Sequence, residues 1–289
     1  FWVWILKQGR NMDKLDVEAP EWGDIKPKRS ANVLFHFTKE LKHLKTTIQR
    51  HGLASRYCEE DIEFLGLEVN GHTISKVAYP EKCFCDIPIH NIYRHAEQYG
   101  ACAIGLTKKW GIENGIQPIQ YVNPNSNLIK DFRLAFHKGL EIKEDDTVAQ
   151  FVSNFLISYM LYIKPLKGLN RSRVTDEYEP VYLTDECEWR FIPDLTEQEM
   201  EPVLYDHEIR RKDANSNYIK DKYSDALDKL EDTWLKFSYE DVRYLSVKNS
   251  EQRNELIEFI LSLEDSVTHK EKMELISKIV VLDEAQEDF

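Results

Sequence analysis

The run Asn32-Val33-Leu34-Phe35-His36-Phe37 is apolar and β-prone, and directly after it the period of the apolar positions changes. Leu41, Leu44 and Ile48 recur at helical spacing, so a strand hands over to an amphipathic helix. Thr38 is placed to cap that helix and Gly52 to close it. Further along, short strands alternate with helices of unequal length, which predicts an α+β domain around a mixed or antiparallel sheet.

Working outward, apolar runs predict strands over 82–86, 101–106, 118–122, 188–192 and 242–247. Helices are predicted near 91–98, ended by Gly100, and over 147–163, 252–263 and 270–281. Residues 147–163 carry apolar side chains on more than one face, including Phe151, Phe155, Leu156 and Met160, and should pack on the sheet. The acidic stretch from Tyr57 to Gly71 reads as a loop. Pro165 to Asp176, with Lys164, Lys167, Arg171 and Arg173, reads as a solvated connection or as a phosphate-binding loop. The charged segment 207–238, with Tyr223, Leu227, Leu230 and Trp234 at helical spacing, reads as an arm docked on its own chain or on another. The chain thus divides into an N-terminal extension (1–31), an α+β motif-bearing core (32–205), and a part (206–289) holding the arm, a late strand and C-terminal helices that complete the core. Residues 1–11, ahead of Met12, read as an upstream extension, and the acidic tail after Asp283 as frayed.

The 289 residues carry 38 Lys+Arg against 51 Asp+Glu, a formal net charge of −13, and 42% of them are hydrophobic. That apolar content supports a packed core and excludes disordered and disulfide-scaffold classes. The negative charge argues against bulk nucleic-acid binding, which needs many cations facing phosphates. Five cysteines are an odd number in a chain too long to need staples, which points to a reducing cytoplasm. Cys83-Phe84-Cys85 lacks the second Cys or His pair of a structural zinc site, so no metal is expected. No stretch approaches the ~20 apolar residues of a membrane span.

The sequence has no G-x-G-x-x-G, Walker loop, G-x-S-x-G or H-E-x-x-H. Three blocks set polar groups inside apolar strands: Leu34-Phe35-His36-Phe37-Thr38, Cys83-Phe84-Cys85-Asp86-Ile87-Pro88 and Glu186-Cys187-Glu188-Trp189-Arg190. A polar group there must find a partner or serve a ligand. Taken singly, His36 reads as a satisfied core histidine, Asp86 as a turn former, and Glu188 with Arg190 as an ion pair on one strand face.

Together the blocks resemble the AbiGi-type abortive-infection family of bacterial phage resistance. The resemblance also rests on His95, Tyr99-Gly100-Ala101-Cys102-Ala103-Ile104-Gly105-Leu106, Lys109-Trp110-Gly111 and Pro118-Ile119-Gln120-Tyr121-Val122. It covers about residues 32 to 195 and implies an anti-phage role with a cognate toxin or antitoxin as partner. The order of a first-strand His, a middle strand and a late-strand Glu is in turn similar to the layout of ADP-ribosyltransferases. That likeness implies NAD as a substrate and an ADP-ribosyltransferase-like fold, with His36 holding the ribose and Glu188 catalytic. Glu186 resembles the first Glu of an E-x-E pair, and Thr38, Cys85, Asp86, Tyr99 and Arg190 fall at substrate- or cofactor-binding positions. Phe84-Cys85-Asp86 departs from the Ser-Thr-Ser or Tyr of that layout. Two functions are therefore expected: transfer of ADP-ribose from NAD to a host or phage macromolecule, or a non-catalytic antitoxin or partner-binding component of a two-gene system.

Overall fold

The computed structural model describes residues 30–69, 71–140, 147–171, 177–213, 216–264 and 266–286. The apolar opening, nearly all of the N-terminal extension, Arg173 and the last three tail residues lie outside these. The architecture is α+β, built on one nine-stranded mixed sheet. Its strands in chain order are β1 (Val33–Thr38), β2 (Arg56–Asp61), β3 (Lys76–Cys85), β4 (Cys102–Thr107), β5 (Gln117–Pro118), β6 (Glu188–Phe191), β7 (Leu204–Tyr205), β8 (Val242–Val247) and β9 (Ile279–Val281). The sheet order is β9-β8-β4-β1-β3-β6-β5, with β2 and β7 flanking the first half of β3. Only the β8–β9 pair is parallel.

The strand that organises the sheet is longer than the sequence suggested. β3 runs for ten residues, and its first half pairs with β2, the stretch expected to be a loop. Pro80 sits in the middle of β3 because neither edge of the strand needs an N–H there. Tyr57, opposite Pro80, sends its own N–H away from β3 to Ser224 Oγ at 3.0 Å, so this pair exchanges no ladder bonds. On the other edge, β7 has ended at Ala78 and β6 begins at Lys82.

Helix α1 (Leu41–Arg50) forms as expected, but Glu40 occupies the N-cap position and His51, at φ 49°, the C-cap. Thr38 instead ends β1, and Gly52 begins a two-residue strand paired with Leu235–Lys236. The buried Leu41, Leu44 and Ile48 pack with Leu34, Ile104, Leu106 and Leu245 of the sheet and with Leu256 and Ile260 of the helix Ser250–Leu261. Each such fully buried aliphatic side chain contributes about 1.5–3 kcal/mol. The opposite face at β1 carries Phe35 and Ala103, covered by Ile92 of helix α2 (Ile92–Tyr99).

Two helices, α3 (Asn127–Leu140) and α4 (Thr147–Met160), cover the first half of β3. Phe132, Phe136, Leu156, Ile157 and Met160 pack with Val77 and Tyr79. The expected strand 118–122 is split: Gln117–Pro118 edges the main sheet, while Gln120–Val122 pairs in parallel with Ile163–Pro165. In its described part, 165–171, the expected basic loop is mostly strand as well, because Lys167–Arg171 pairs with Tyr178–Tyr182; the rest of it, 172–176, lies outside the described residues. The charged arm is not one helix. Among its described residues only Asp206–Ile209 and Ile219–Leu227 are α-helical, and the fully buried Leu227 packs with Tyr57, Ala78 and Leu204 of the same chain. The last predicted helix stops at Ser277, after which Ile279–Val281 joins the sheet as β9.

Candidate functional site

β1 and β3 pair at a single position, Phe35 opposite Cys85. Beyond it β1 continues against β4, while the end of β3 continues against β6, so the two strands part. A cavity of about 300 Å³ opens there, bordered by both His36 and Glu188. Strand alternation sets Glu188 on the face of Cys85 and Phe35, and His36 on the face of Phe84, whose ring centroid lies 5.7 Å from its own. The two residues thus reach the cavity from opposite faces of the sheet.

His36 Nδ1 bridges the parting strands to the Cys83 carbonyl oxygen at 2.9 Å. A carbonyl only accepts, so Nδ1 carries the proton and Nε2 the lone pair. Burial, with Lys82 nearby, lowers the imidazole to about 3 against the opposing effect of this bond, which keeps it neutral near pH 7.

Glu188 projects into a dense charge network. Arg190, two residues on and fully buried, donates from Nε to Glu188 Oε1 at 2.8 Å and sets Nη2 2.7 Å from the same oxygen. Its Nη1 donates to the Leu161 carbonyl at 2.6 Å and to the Tyr79 hydroxyl, and Glu81 Oε2 lies 2.8 Å from its Nε. Lys164 Nζ takes the other oxygen of Glu188 at 2.7 Å and lies 3.2 Å from Glu186 and 3.7 Å from Glu60. Tyr99 donates to Glu186 at 2.8 Å, and the Glu188 backbone N–H donates to the Tyr121 hydroxyl at 3.0 Å. Cys187, at φ 44°, turns the chain out of the short helix Leu183–Glu186 into β6, so Glu186 and Glu188 meet the same lysine.

Burial alone would raise the Glu188 carboxyl, but Lys164 and Arg190 outweigh it and hold the group at about 2. Glu81 has less compensation: burial pushes it up to about 7 despite Arg190. Burial likewise raises the Cys83 and Cys85 thiols, which stay protonated. Glu81, Cys83 and Glu188 bring potential metal-ligand atoms within 4.8 Å of one another. Two cations already hold the Glu188 carboxylate, so a metal would have to compete with both.

Of the residues singled out in the sequence, His36, Cys85, Tyr99, Glu186 and Glu188 border the cavity. Three do not. Thr38 bonds the Cys102 carbonyl at 3.3 Å, Asp86 pairs with Lys108 at 2.7 Å, and Arg190 lies beneath the wall with no exposed surface. Lys164, Glu60, Glu81 and Tyr79 complete the site; from sequence Lys164 and Glu60 read only as members of the basic loop and the acidic stretch, and Glu81 and Tyr79 carry no signal taken alone. A period-two reading of Tyr79, Glu81, Cys83 and Cys85 would have found the β3 members.

Among the described residues no helix is long and apolar enough to cross a membrane, and all five cysteines are free. A family model described as "Putative abortive phage resistance protein AbiGi, antitoxin" matches residues 51–273. The chain is 36% identical over 249 residues to the abortive phage resistance protein AbiGi of Lactococcus lactis subsp. cremoris, covering 81% of this chain and 98% of that protein. No solved structure matches it, so the ADP-ribosyltransferase-like fold has no support from known structures.

Proposed function

The chain belongs to the AbiGi family of abortive phage resistance proteins and acts in anti-phage defence, and on that premise we propose that it is a non-catalytic antitoxin that restrains a cognate toxin by binding it. The observation that carries this reading is the double engagement of Glu188. A carboxylate stabilises positive charge developing on a substrate only as far as its own charge is unanswered, and here Lys164 and Arg190 both lie within 2.7 Å of it. Its first role in this reading is to hold β3, β6 and Lys164 together.

Expressed with the product of its partner gene, the chain should relieve that toxin's growth inhibition and co-purify with it. His36→Gln, which removes the imidazole that a transferase would need but no carboxylate of the site, should keep both properties. Growth rescue without a complex, or loss of rescue in a normally folded His36→Gln protein, would contradict the binding reading.

The second reading, ADP-ribosyl transfer from NAD, is favoured by the shared cavity of His36 and Glu188. A ligand that binds only the native state must raise its stability by mass action, so NAD should raise the melting temperature if this reading holds. An unmoved melting temperature at millimolar NAD leaves the antitoxin reading alone.

A further inference from the structure

The cavity continues into a larger groove of about 890 Å³, with which it shares Glu60, Tyr99, Lys164 and Glu186. Along β2 and just beyond it the groove wall presents Glu59, Asp61 and Glu63, all exposed. The floor is short of positive charge too. Among the described residues the ion pairs of Glu60, Glu81, Glu186 and Glu188 are all with Lys164 and Arg190, four carboxyls to two cations; Glu81, raised to about 7, carries only part of a charge near neutral pH, and Lys39 also lines the cavity. Glu81 is 3% exposed, and its Oε2 accepts no well-aligned hydrogen bond although it lies close to the cavity-wall groups of Cys83 and Glu188. Its nearest cation, Arg190 Nε at 2.8 Å, is shared with Glu188, so an added cation would meet a carboxylate that is only partly answered.

We propose that this groove receives a basic, extended segment of the partner protein, one of whose guanidinium or ammonium groups enters the cavity toward Glu186 and Glu188. The inference rests on the antitoxin reading and names the chemistry of its partner. Charge complementarity selects the occupant: the acidic wall repels nucleic acid and attracts Arg and Lys, and Tyr99 at the junction offers an aromatic face to a cation. The lysines offset this field only in part: Lys164 is spent on the floor carboxylates, Lys76 and Lys220 lie 3.8 and 2.6 Å from Glu59, and of the lysines lining the groove that leaves Lys167 against Asp61 and Glu63.

The test measures binding of a fluorescent arginine nonapeptide to the full chain by anisotropy, at low salt and at about 0.15 M salt. The exposed pair Asp61→Asn/Glu63→Gln should weaken binding about tenfold. An equally neutralised pair on the helix Ser250–Leu261, Glu251→Gln/Glu258→Gln, should change it less than about twofold and so controls for net charge. Equal losses from both pairs, or no peptide binding by the unaltered chain, overturns the groove assignment. The toxin then separates the two ideas. If it binds the unaltered chain and the groove variant equally well, the groove assignment fails while the antitoxin reading stands. If it does not bind the unaltered chain, the antitoxin reading fails whatever the peptide does.

Discussion

Arg190 and Glu188 stand two residues apart on one strand and lock together twice, Nε and Nη2 of the guanidinium both reaching Glu188 Oε1 at 2.8 and 2.7 Å. An ordinary ion pair on an exposed strand face, the single-residue reading of these two, would change stability by at most ~1 kcal/mol on its loss. Here the side chains are 0% and 5% exposed, so that figure does not apply. Glu188→Gln should cost about 2–3 kcal/mol, because the neutral amide leaves Lys164 and Arg190 short of charge. Arg190→Met should cost about 3–5 kcal/mol, since it strands Glu81 and Glu188 together. Urea titrations with an unchanged slope would give both values, and losses under ~1 kcal/mol would mean that the network is solvated.

The two buried carboxyls should leave opposite marks on stability. Glu188 is depressed from 4.5 to about 2, so its contribution is present above pH 4.5 and is lost as the pH falls toward 2. Glu81 is raised from 4.5 to about 7, so its contribution is present below pH 4.5 and is lost as the pH rises through 7. His36, lowered from 6.5 to about 3, acts like Glu188, its contribution fading below pH 6.5. Comparison of the unaltered chain with Glu81→Gln isolates the Glu81 part. The stability difference should move in favour of the variant between pH 4.5 and 7, and a flat difference would show that Glu81 titrates normally.

Thiol accessibility separates the five cysteines. Cys187 is exposed on its left-handed turn, whereas Cys102 is buried and burial raises the thiols of Cys83, Cys85 and, to about 12, Cys58. A thiolate-seeking reagent under native conditions should label Cys187 first, and the others only on unfolding. Peptide mapping that found Cys83 or Cys85 labelled as fast would mean that the cavity opens freely to solvent.

Much of this architecture could be read from local pattern. α1 and the helix Ser250–Leu261 carry a period that their burial follows, β1, β4 and β8 show as apolar runs buried over consecutive residues, and in β6 the alternation is inverted, with Glu188 and Arg190 on the buried face. The failures share a cause. β3 was cut short because Pro80 suggests a break, and only the pairing around it shows that this residue needs no donor. β2 reads as a loop because Glu59, Glu60 and Asp61 hide its alternation; all three line the groove, and Glu60 borders the cavity as well. α3 was overlooked although Ile129, Phe132 and Phe136 stand three and four apart. At the site, His36 and Glu188 were found as polar residues inside apolar strands. Lys164 is the middle residue of the short strand Ile163–Pro165 at the mouth of a basic stretch, and nothing local shows that it turns inward.

Gly100 tests whether the helix before β4 must press this closely on β1. It ends α2 at φ +104°, and a Cβ there would stand 2.5 Å from the Thr38 carbonyl oxygen and 2.8 Å from Lys39 Cα. Two costs therefore combine in Gly100→Ala: a backbone angle that L-residues avoid, and a clash with main chain that cannot swing aside as a flexible side chain would. Their sum should be roughly 2–5 kcal/mol. Gly115→Ala supplies the control, since at φ +70° its added Cβ meets nothing within 4 Å and only the angle term of about 1–2 kcal/mol applies. The Gly100 variant should also shift Tyr99, the next residue, off Glu186, because the helix end must retreat to admit the methyl group. Unfolding midpoints that fall equally for the two variants would show that the contact of Gly100 with Thr38 yields easily, and that α2 does not fix the cavity rim.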